Sequence, residues 1–249
     1  MFAEWVTLAS CAVFETDGDM PVSEGSAVSE MVRNLARSPL FSGLSTTALG
    51  SVAARSLRKD LAPGKLVVLQ GDECQAVYLV IEGVLRARRT SEDGREQVLS
   101  YLGSGALYNL VSALDGGSTE ATLEAVTAAT VYAVPCQAVA ELMSQEPQVA
   151  IAVARYLATE VRRLTDMVES LALHTVRRRL ARFLLDSADG RIAARRWTQQ
   201  EIAAHLGTVR EMVGRSMRAF VEAGLVRREG GKILLLDRDG LEVEANGGG

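Results

Sequence analysis

The sequence predicts an α+β fold with an N-terminal β-roll (a jelly roll or β-barrel), a long helix and a C-terminal winged helix-turn-helix. Short apolar runs between glycines fill residues 57–134, an amphipathic helical pattern continues to residue 173, and helix-capping signals flank a glycine within residues 198–217. We therefore expect four segments: an extension over 1–29, a β-roll over 30–135, a dimerisation helix over 136–173 and a winged helix-turn-helix over 174–249.

The composition excludes several classes of protein. A chain of 249 residues, 48% of them hydrophobic, can form one large or two modest domains with a core. It has no run of about 18 uncharged apolar residues, so we expect no membrane association. No Lys or Arg precedes Arg33, which argues against a signal peptide. The first 29 residues show no clear period and predict a mobile extension, with Met20 and Met31 as alternatives to Met1 for the biological start.

The cysteines and histidines are few. Cys11, Cys74 and Cys136 lie far apart in the sequence, a pattern that fits a reducing compartment, and we predict a cytoplasmic protein. No Cys-x-x-Cys motif occurs, so we predict no metal site and no cofactor. Cys74 is interpreted as a free cysteine packed like a small apolar residue, with haem ligation as the alternative. His174 lies at the hinge before the C-terminal domain, and His205 is interpreted as a surface or phosphate contact.

The N-terminal half alternates short strands with turns. Residues 30–56 predict an amphipathic helical lead-in, broken at Ser38-Pro39. The turn signal Asp93-Gly94 between two apolar runs predicts a hairpin. Strands are predicted over residues 65–70, 76–81, 84–89, 97–102, 122–125 and 130–134.

A long helix is predicted from about residue 137 to residue 173, interrupted at Pro147, which can begin the longer piece. Apolar residues recur along it with 4-3 spacing, and β-branched residues in one row with Leu in the other favour two parallel strands. We therefore predict a parallel homodimer, with an intramolecular core helix as the alternative. The predicted dimer seam comprises Leu157, Val161, Leu164, Val168 and Leu171.

Residues 198–217 predict two helices joined at Gly207. Thr198 with Glu201 three residues later forms the pattern of a capping box for the first helix, and Thr208 is expected to cap the second. Glycine at the junction permits a sharp turn between steeply crossing helices. The inner faces are predicted to contain Ile202, Ala203, Leu206, Val213 and Met217.

The start of the second helix carries Arg210, Glu211 and Arg215 on its outward face. Arg binds guanine O6 and N7 with two hydrogen bonds, and Glu accepts one from cytosine N4, so this pattern suits the major groove. A solvated Arg-Glu surface is the alternative. Residues 225–236 predict a hairpin after this helix, which makes the motif a winged helix.

The charge distribution supports contact with nucleic acid in one domain. Residues 174–236 contain 13 Lys/Arg and 6 Asp/Glu, a net charge of +7, whereas residues 1–173 contain 13 Lys/Arg and 21 Asp/Glu, a net charge of −8. A basic domain within an acidic chain is typical of a contact with phosphates confined to that domain.

The chain resembles the CRP/FNR family of bacterial transcription regulators over about residues 38–240. The most specific matches are Gln200-Glu201-Ile202-Ala203 and Arg210-Glu211-x-x-Gly214-Arg215, which are similar to the cyclic-AMP receptor branch. The resemblance implies a homodimer that binds a near-palindromic double-stranded DNA operator and contacts RNA polymerase. It implies base contacts by Arg210, Glu211 and Arg215, and phosphate contacts by Thr198, Gln200, Thr208 and Arg218.

The ligand-binding part departs from that family pattern. Cyclic-AMP binders carry a Glu for the ribose and an Arg for the cyclic phosphate, but Leu110 and Glu120 stand at the positions we match to them. A carboxylate facing a phosphate is repulsive, so we predict an effector that is unidentified, or none, and not cyclic AMP. The candidate effector pocket comprises Tyr108, Asn109, Leu110, Thr119, Glu120 and Thr122.

Two function classes remain as hypotheses. The favoured one is a dimeric, sequence-specific transcription regulator. The alternative is a β-roll regulatory module whose winged helix docks another protein. No nucleophile–base pair, phosphate-binding loop or carboxylate pair occurs at usable spacing, so we predict no catalytic residues and no enzyme activity.

Overall fold

The computed structural model describes residues 24–189, 197–230 and 232–247. Most of the predicted extension, including Cys11, therefore lies outside the described residues. Helix α1 (Glu24–Arg37) begins before residue 30, where the β-roll segment is predicted to start. Helix α2 (Thr46–Arg55) follows, and the Ser45 side chain caps it by accepting a hydrogen bond from the Ala48 amide.

Eight short strands form two four-stranded antiparallel sheets, in the orders β1-β8-β3-β6 and β2-β7-β4-β5. The predicted hairpin is β4–β5, with Gly94 in the left-handed region at φ 78°. The six predicted strands are all present, and β1 and β6 are additional. The strands are β1 (Leu57–Leu61), β2 (Leu66–Val68), β3 (Ala76–Glu82), β4 (Leu85–Thr90), β5 (Glu96–Leu102), β6 (Leu107–Tyr108), β7 (Thr122–Ala125) and β8 (Ala129–Pro135).

Strand β3 is buried on both faces, which explains its unbroken apolar sequence. Val80 points into the core between the two sheets, together with Leu85 and Leu123. Val77 and Leu79 point to the other side, where α1, α2 and α4 cover the sheet. The β-roll is thus a sandwich with a helical layer on one face.

Short helix α3 (Leu110–Asp115) lies within the sandwich domain, between β6 and β7. After β8, the predicted interrupted helix is present as two helices, of which α4 (Cys136–Gln145) is the first. Helix α5 (Pro147–Leu173) begins with Pro147 in its first turn, as predicted. Val149 and Val153 at the start of α5 are buried against the sandwich. None of the described helices is long and apolar enough to span a bilayer.

The C-terminal domain has its own core beneath a two-stranded wing. It comprises α6 (Val176–Ala188), α7 (Gln199–Leu206), α8 (Arg210–Glu222), β9 (Val226–Glu229), β10 (Lys232–Leu235) and α9 (Arg238–Asn246). Helix α9 was not predicted. Its Leu241 and Ala245 are buried in this core, and Arg177 on α6 forms a bidentate ion pair with Glu244.

Candidate nucleic-acid interface and ligand pocket

Helix α7 begins with the predicted capping box. The Glu201 amide donates to the Thr198 hydroxyl at 3.1 Å, and the Thr198 amide donates to the Glu201 carboxylate at 2.8 Å. The Thr198 hydroxyl also donates to this carboxylate at 2.8 Å. The hydroxyl is therefore already used within the cap, and a carboxylate lies beside it. This geometry makes Thr198 a capping residue and disfavours the phosphate contact expected of it.

The turn between α7 and α8 differs from the prediction at one residue. Gly207 ends α7 in the left-handed region at φ 63°, and the Thr208 amide donates to Ala203 O at 3.0 Å. The N-cap of α8 is Val209, without a side-chain hydrogen bond. The expectation that Thr208 caps α8 is therefore wrong, because Thr208 still belongs to the hydrogen-bonded end of α7.

The outward face of α8 contains the predicted base-contacting residues. Arg210, Glu211 and Arg215 are exposed, and Arg218 continues the same face one turn further. On the inward face, Val213 and Met217 are buried in the domain core. Burial of the apolar face therefore orients the charged face of α8 toward solvent.

Further exposed polar and basic groups surround this face. Gln200 is exposed near the start of α7, and Thr208 is half-buried at the turn. On the wing, Arg227, Arg228 and Lys232 are exposed, and Arg227 pairs with Glu229 at 3.3 Å. The wing cations are not among the residues predicted to contact DNA, although they lie in the predicted hairpin.

The predicted seam on α5 divides into two parts. Leu157 is half-buried and packs against the sandwich core, a contact of the kind that the intramolecular alternative expects. In the second half, Val161 and Val168 are 62% and 64% exposed, and Leu164 is 42% exposed. Leu171 is also exposed, but its side chain lies against Gly207, where an added Cβ would come within 2.7 Å of it.

An aromatic cluster joins the sandwich to the C-terminal domain. The Tyr101 ring on β5 lies 5.2 Å from that of Trp197 and 5.5 Å from that of His205. Phe183 on α6 lies 5.1 Å from both Trp197 and His205. His205 is therefore packed among rings, and its interpretation as a surface or phosphate contact is wrong. His174, as expected, lies at the hinge, where it ends α5 as its C-cap.

In the candidate effector pocket, Tyr108 is tied to the backbone opposite it. Its hydroxyl accepts a hydrogen bond from the Ala121 amide at 3.1 Å and donates to the Ala121 carbonyl. Burial raises the pKa of the Tyr108 phenol to about 12, so it remains neutral at physiological pH. The Ala121 amide is thus already occupied. Thr122 is similarly engaged, because its hydroxyl accepts a hydrogen bond from the backbone amide of Gln70 at 3.1 Å.

Asn109 and Thr119 contribute unsatisfied polar atoms to the same region. Asn109 has a left-handed backbone at φ 69°, and its amide group donates to Ala76 O at 3.2 Å and to Cys74 Sγ at 3.3 Å. Its Oδ1 atom and the Thr119 hydroxyl are buried and have no hydrogen-bond partner among the described residues. Such groups are costly to bury alone, which favours an additional polar partner at this place.

The two residues matched to the cyclic-AMP contacts lie elsewhere than expected. Leu110 is 3% exposed and belongs to the core beneath the helical layer. The Glu120 side chain is exposed, whereas its neighbour Thr119 is 1% exposed, so Thr119 occupies the inner position. Partial burial and Asp115 raise the pKa of Glu120, and Arg89 opposes this rise. The expectation that Glu120 faces into the pocket is therefore wrong.

A sandwich domain, a long helix with an exposed apolar seam and a winged helix with outward Arg and Glu define the class of two-domain DNA-binding regulators. Sequence comparison supports both halves separately. Residues 58–146 match the cyclic nucleotide-binding domain, and residues 178–244 match the Crp-like helix-turn-helix domain.

Relatives align over nearly their whole length. The chain is 33% identical over 211 residues to the cyclic AMP receptor protein of Thermus thermophilus, covering 84% of this chain and 98% of that one. It is 26% identical over 219 residues to a CRP-like cAMP-activated global transcriptional regulator of Mycobacterium tuberculosis, covering 85% and 98%. A crystal structure of a CRP/FNR-family transcriptional regulator from Eubacterium rectale has a TM-score of 0.74 at 26% identity, covering 84% and 98%.

The chain belongs to the CRP/FNR family of transcription regulators and is a DNA-binding protein of that type. The predicted α+β fold and the predicted function class are both confirmed. The relatives give no support to the alternative in which the winged helix docks another protein.

Proposed function

We propose that this chain acts as a homodimer on near-palindromic DNA, contacts bases through Arg210, Glu211 and Arg215, and is not controlled by cyclic AMP. The observation that carries this proposal is the shared exposure of these three side chains on α8, opposite the buried Val213 and Met217. Arg can bind guanine and Glu can accept from cytosine, so this face supplies sequence discrimination.

Phosphate contacts position the domain without specifying sequence. Gln200 and Arg218 are exposed beside the base-contacting face, and Thr208 lies at the turn between α7 and α8, which in this proposal faces the DNA phosphates. We assign the phosphate contacts to these three residues and, on the wing, to Arg227 and Arg228.

The α5 seam supports the dimer. Val161, Leu164 and Val168 are exposed at heptad spacing, and a second copy of α5 would bury them. A parallel pair places two α8 helices about one DNA turn apart, which matches a two-fold symmetric operator. RNA polymerase is expected as a further partner on the family resemblance alone.

The effector of this chain is proposed to differ from the cyclic AMP implied by the names of its relatives. Leu110 packs in the core, and the Ala121 amide is taken by Tyr108. The unsatisfied Asn109 Oδ1 and Thr119 hydroxyl are the groups through which another small molecule would bind, if the protein uses one.

Selection of binding sites from a random duplex library tests the base contacts. For wild type we expect half-sites resembling GTGA/TCAC, arranged as a near-palindrome. Glu211→Ala should relax preference at one base pair per half-site, by roughly 1–3 kcal/mol. Glu222→Ala is the matched control, because Glu222 is exposed at the opposite end of α8.

Two outcomes would overturn the assignment. If Glu211→Ala weakens binding equally for all sequences, Glu211 does not contact a base. If no duplex is enriched even at low salt, where attraction to phosphates is strongest, the proposed interface is wrong for the ligand-free protein.

A further inference from the structure

Two cysteines that are 62 residues apart in the sequence meet at the edge of the sandwich. Cys74 precedes β3, and Cys136 is the first residue of α4. Their sulfur atoms are 2.9 Å apart. The Cys136 amide donates to Gln75 O at 3.1 Å, so a backbone hydrogen bond holds the two segments together next to the thiols.

This pair is separate from the DNA-binding surface and has an accessible position. Both cysteine residues are partly exposed, and neither forms a disulfide. The distance between the sulfur atoms needs to shorten only to about 2.0 Å to reach that of a disulfide. The backbone hydrogen bond from Cys136 to Gln75 already holds the two segments side by side, which favours bond formation.

We propose that Cys74 and Cys136 form an oxidation site, at which a peroxide converts the two thiols into a reversible intramolecular disulfide. A disulfide in a reducing compartment is typically transient and redox-sensing, and two neighbouring, partly exposed cysteines fit such a use. Cys11, the remaining cysteine, takes no part in this proposal.

Cys74 is the nucleophile. The hydrogen bond with Cys136 lowers the pKa of Cys74, against an opposing effect of burial, and the same hydrogen bond and burial raise the pKa of Cys136. The Asn109 amide also donates to Cys74 Sγ at 3.3 Å, which stabilises negative charge on that sulfur. Because the thiolate is the reactive form, oxidation begins at Cys74.

The reaction balances in two steps. The Cys74 thiolate attacks one oxygen of the peroxide, the O–O bond breaks, and the leaving oxygen takes up a proton to form water or an alcohol. This leaves a sulfenic acid on Cys74. The Cys136 sulfur then attacks the Cys74 sulfur, the S–O bond breaks, and the hydroxyl leaves as water with the proton of Cys136. The two thiols lose two electrons, and the peroxide gains them.

Disulfide formation would reach the candidate effector pocket through Asn109. The thiol of Cys74 contacts both the Asn109 carbonyl and its side-chain amide. When Cys74 Sγ moves toward Cys136 and loses its negative charge, the side-chain amide of Asn109 loses its hydrogen-bond acceptor. Asn109 also begins α3 with the left-handed backbone. We therefore expect oxidation to change the rate of backbone amide hydrogen exchange from residue 109 to residue 119.

The test uses the full chain carrying Cys11→Ser, treated with one equivalent of hydrogen peroxide. Intact mass should fall by two hydrogens, and a non-reducing peptide map should link Cys74 to Cys136. Dithiothreitol should reverse both changes. The same chain with Cys136→Ser is the matched control, should retain its circular dichroism, and should form no internal disulfide.

Other outcomes would overturn the proposal. If Cys74 gains oxygen atoms while Cys136 remains a free thiol, the pair does not form a disulfide. Disulfides only between chains would overturn it equally. Hydrogen exchange of residues 109–119 should differ between oxidised and reduced protein, and unchanged exchange would overturn the link to Asn109.

Discussion

The rings of Tyr101 and Trp197 pack edge to face, with centroids 5.2 Å apart and an interplanar angle of 84°. Tyr101 lies on β5 of the sandwich, and Trp197 directly precedes the capping residue of α7. The contact therefore connects the sandwich domain to the DNA-binding helices within one chain. Gln97, also on β5, lies against Gly207 at the α7–α8 turn, so the same strand contacts both ends of α7.

Replacing Tyr101 with Ala should loosen the C-terminal domain from the sandwich. An edge-to-face aromatic pair contributes roughly 0.5–1.5 kcal/mol beyond the burial of its area. Trp197 should become more exposed to water, and its fluorescence emission should shift to longer wavelength. The measurement requires Trp5→Phe in the background, because the chain has two tryptophans.

Tyr101→Phe is the matched control for this experiment, because it retains the ring and removes only the hydroxyl. Its emission should remain close to that of the parent protein. An unchanged spectrum in Tyr101→Ala would show that the contact does not hold the two domains together in solution.

Leu164→Glu should convert the proposed dimer to monomers. A second copy of α5 would enclose position 164, and burying an unpaired carboxylate there costs several kcal/mol. Sedimentation at micromolar concentration measures the effect. Leu173→Glu is the control, since Leu173 is 74% exposed on the same helix and lies outside the heptad rows. If Leu164→Glu remains dimeric, the interface lies elsewhere.

Glu244→Gln should destabilise the C-terminal domain at neutral pH. The hydrogen bond from Arg177 lowers the pKa of Glu244, and the pair links α9 to α6. Because Arg177 is 43% exposed, we expect a loss of only about 0.5–1 kcal/mol in unfolding free energy. Urea unfolding measures this loss.

The contribution of the Arg177–Glu244 pair to the free energy of unfolding should decrease in acid. A carboxyl whose pKa is depressed in the folded state stabilises the protein above its unfolded pKa of about 4.3. That stabilisation disappears as pH falls through the lower folded pKa, so the difference between Glu244→Gln and wild type should shrink in acid. Glu242→Gln, which breaks only the exposed pair with Arg238, should have a smaller effect. Equal losses in the two variants would contradict the prediction that the Arg177–Glu244 pair stabilises the domain more than the exposed pair does.

Elements with strong local signals could be predicted from the sequence. The capping box of Thr198 and Glu201, the glycine turn at Gly207 and the hairpin at Asp93-Gly94 all depend on neighbouring residues. The missed elements depend on distant ones. Strand β1 is charged at its centre and forms because it pairs with β8, and α9 forms because Leu241 and Ala245 complete the core of its domain.

The candidate site was predictable where exposure follows helical periodicity and was not predictable where it follows loop geometry. The outward positions of Arg210, Glu211 and Arg215 follow from the spacing of buried residues on α8. The inward position of Thr119 and the outward position of Glu120 depend on the backbone path between α3 and β7, which has no period. Likewise, no sequence spacing indicates that Cys74 meets Cys136.

Cyclic AMP should neither bind nor activate this protein. Leu110 cannot accept a hydrogen bond from a ribose. The inner position next to Glu120 holds the neutral Thr119, where a cyclic phosphate needs a cation. The loss of one buried Arg–phosphate pair costs about 2–5 kcal/mol, which weakens affinity about 30-fold or more. Isothermal calorimetry with millimolar cyclic AMP should show no saturable heat. Micromolar affinity would contradict the prediction, and Arg89→Gln would then test whether Arg89, whose charge affects Glu120 and Tyr108, supplies the missing cation.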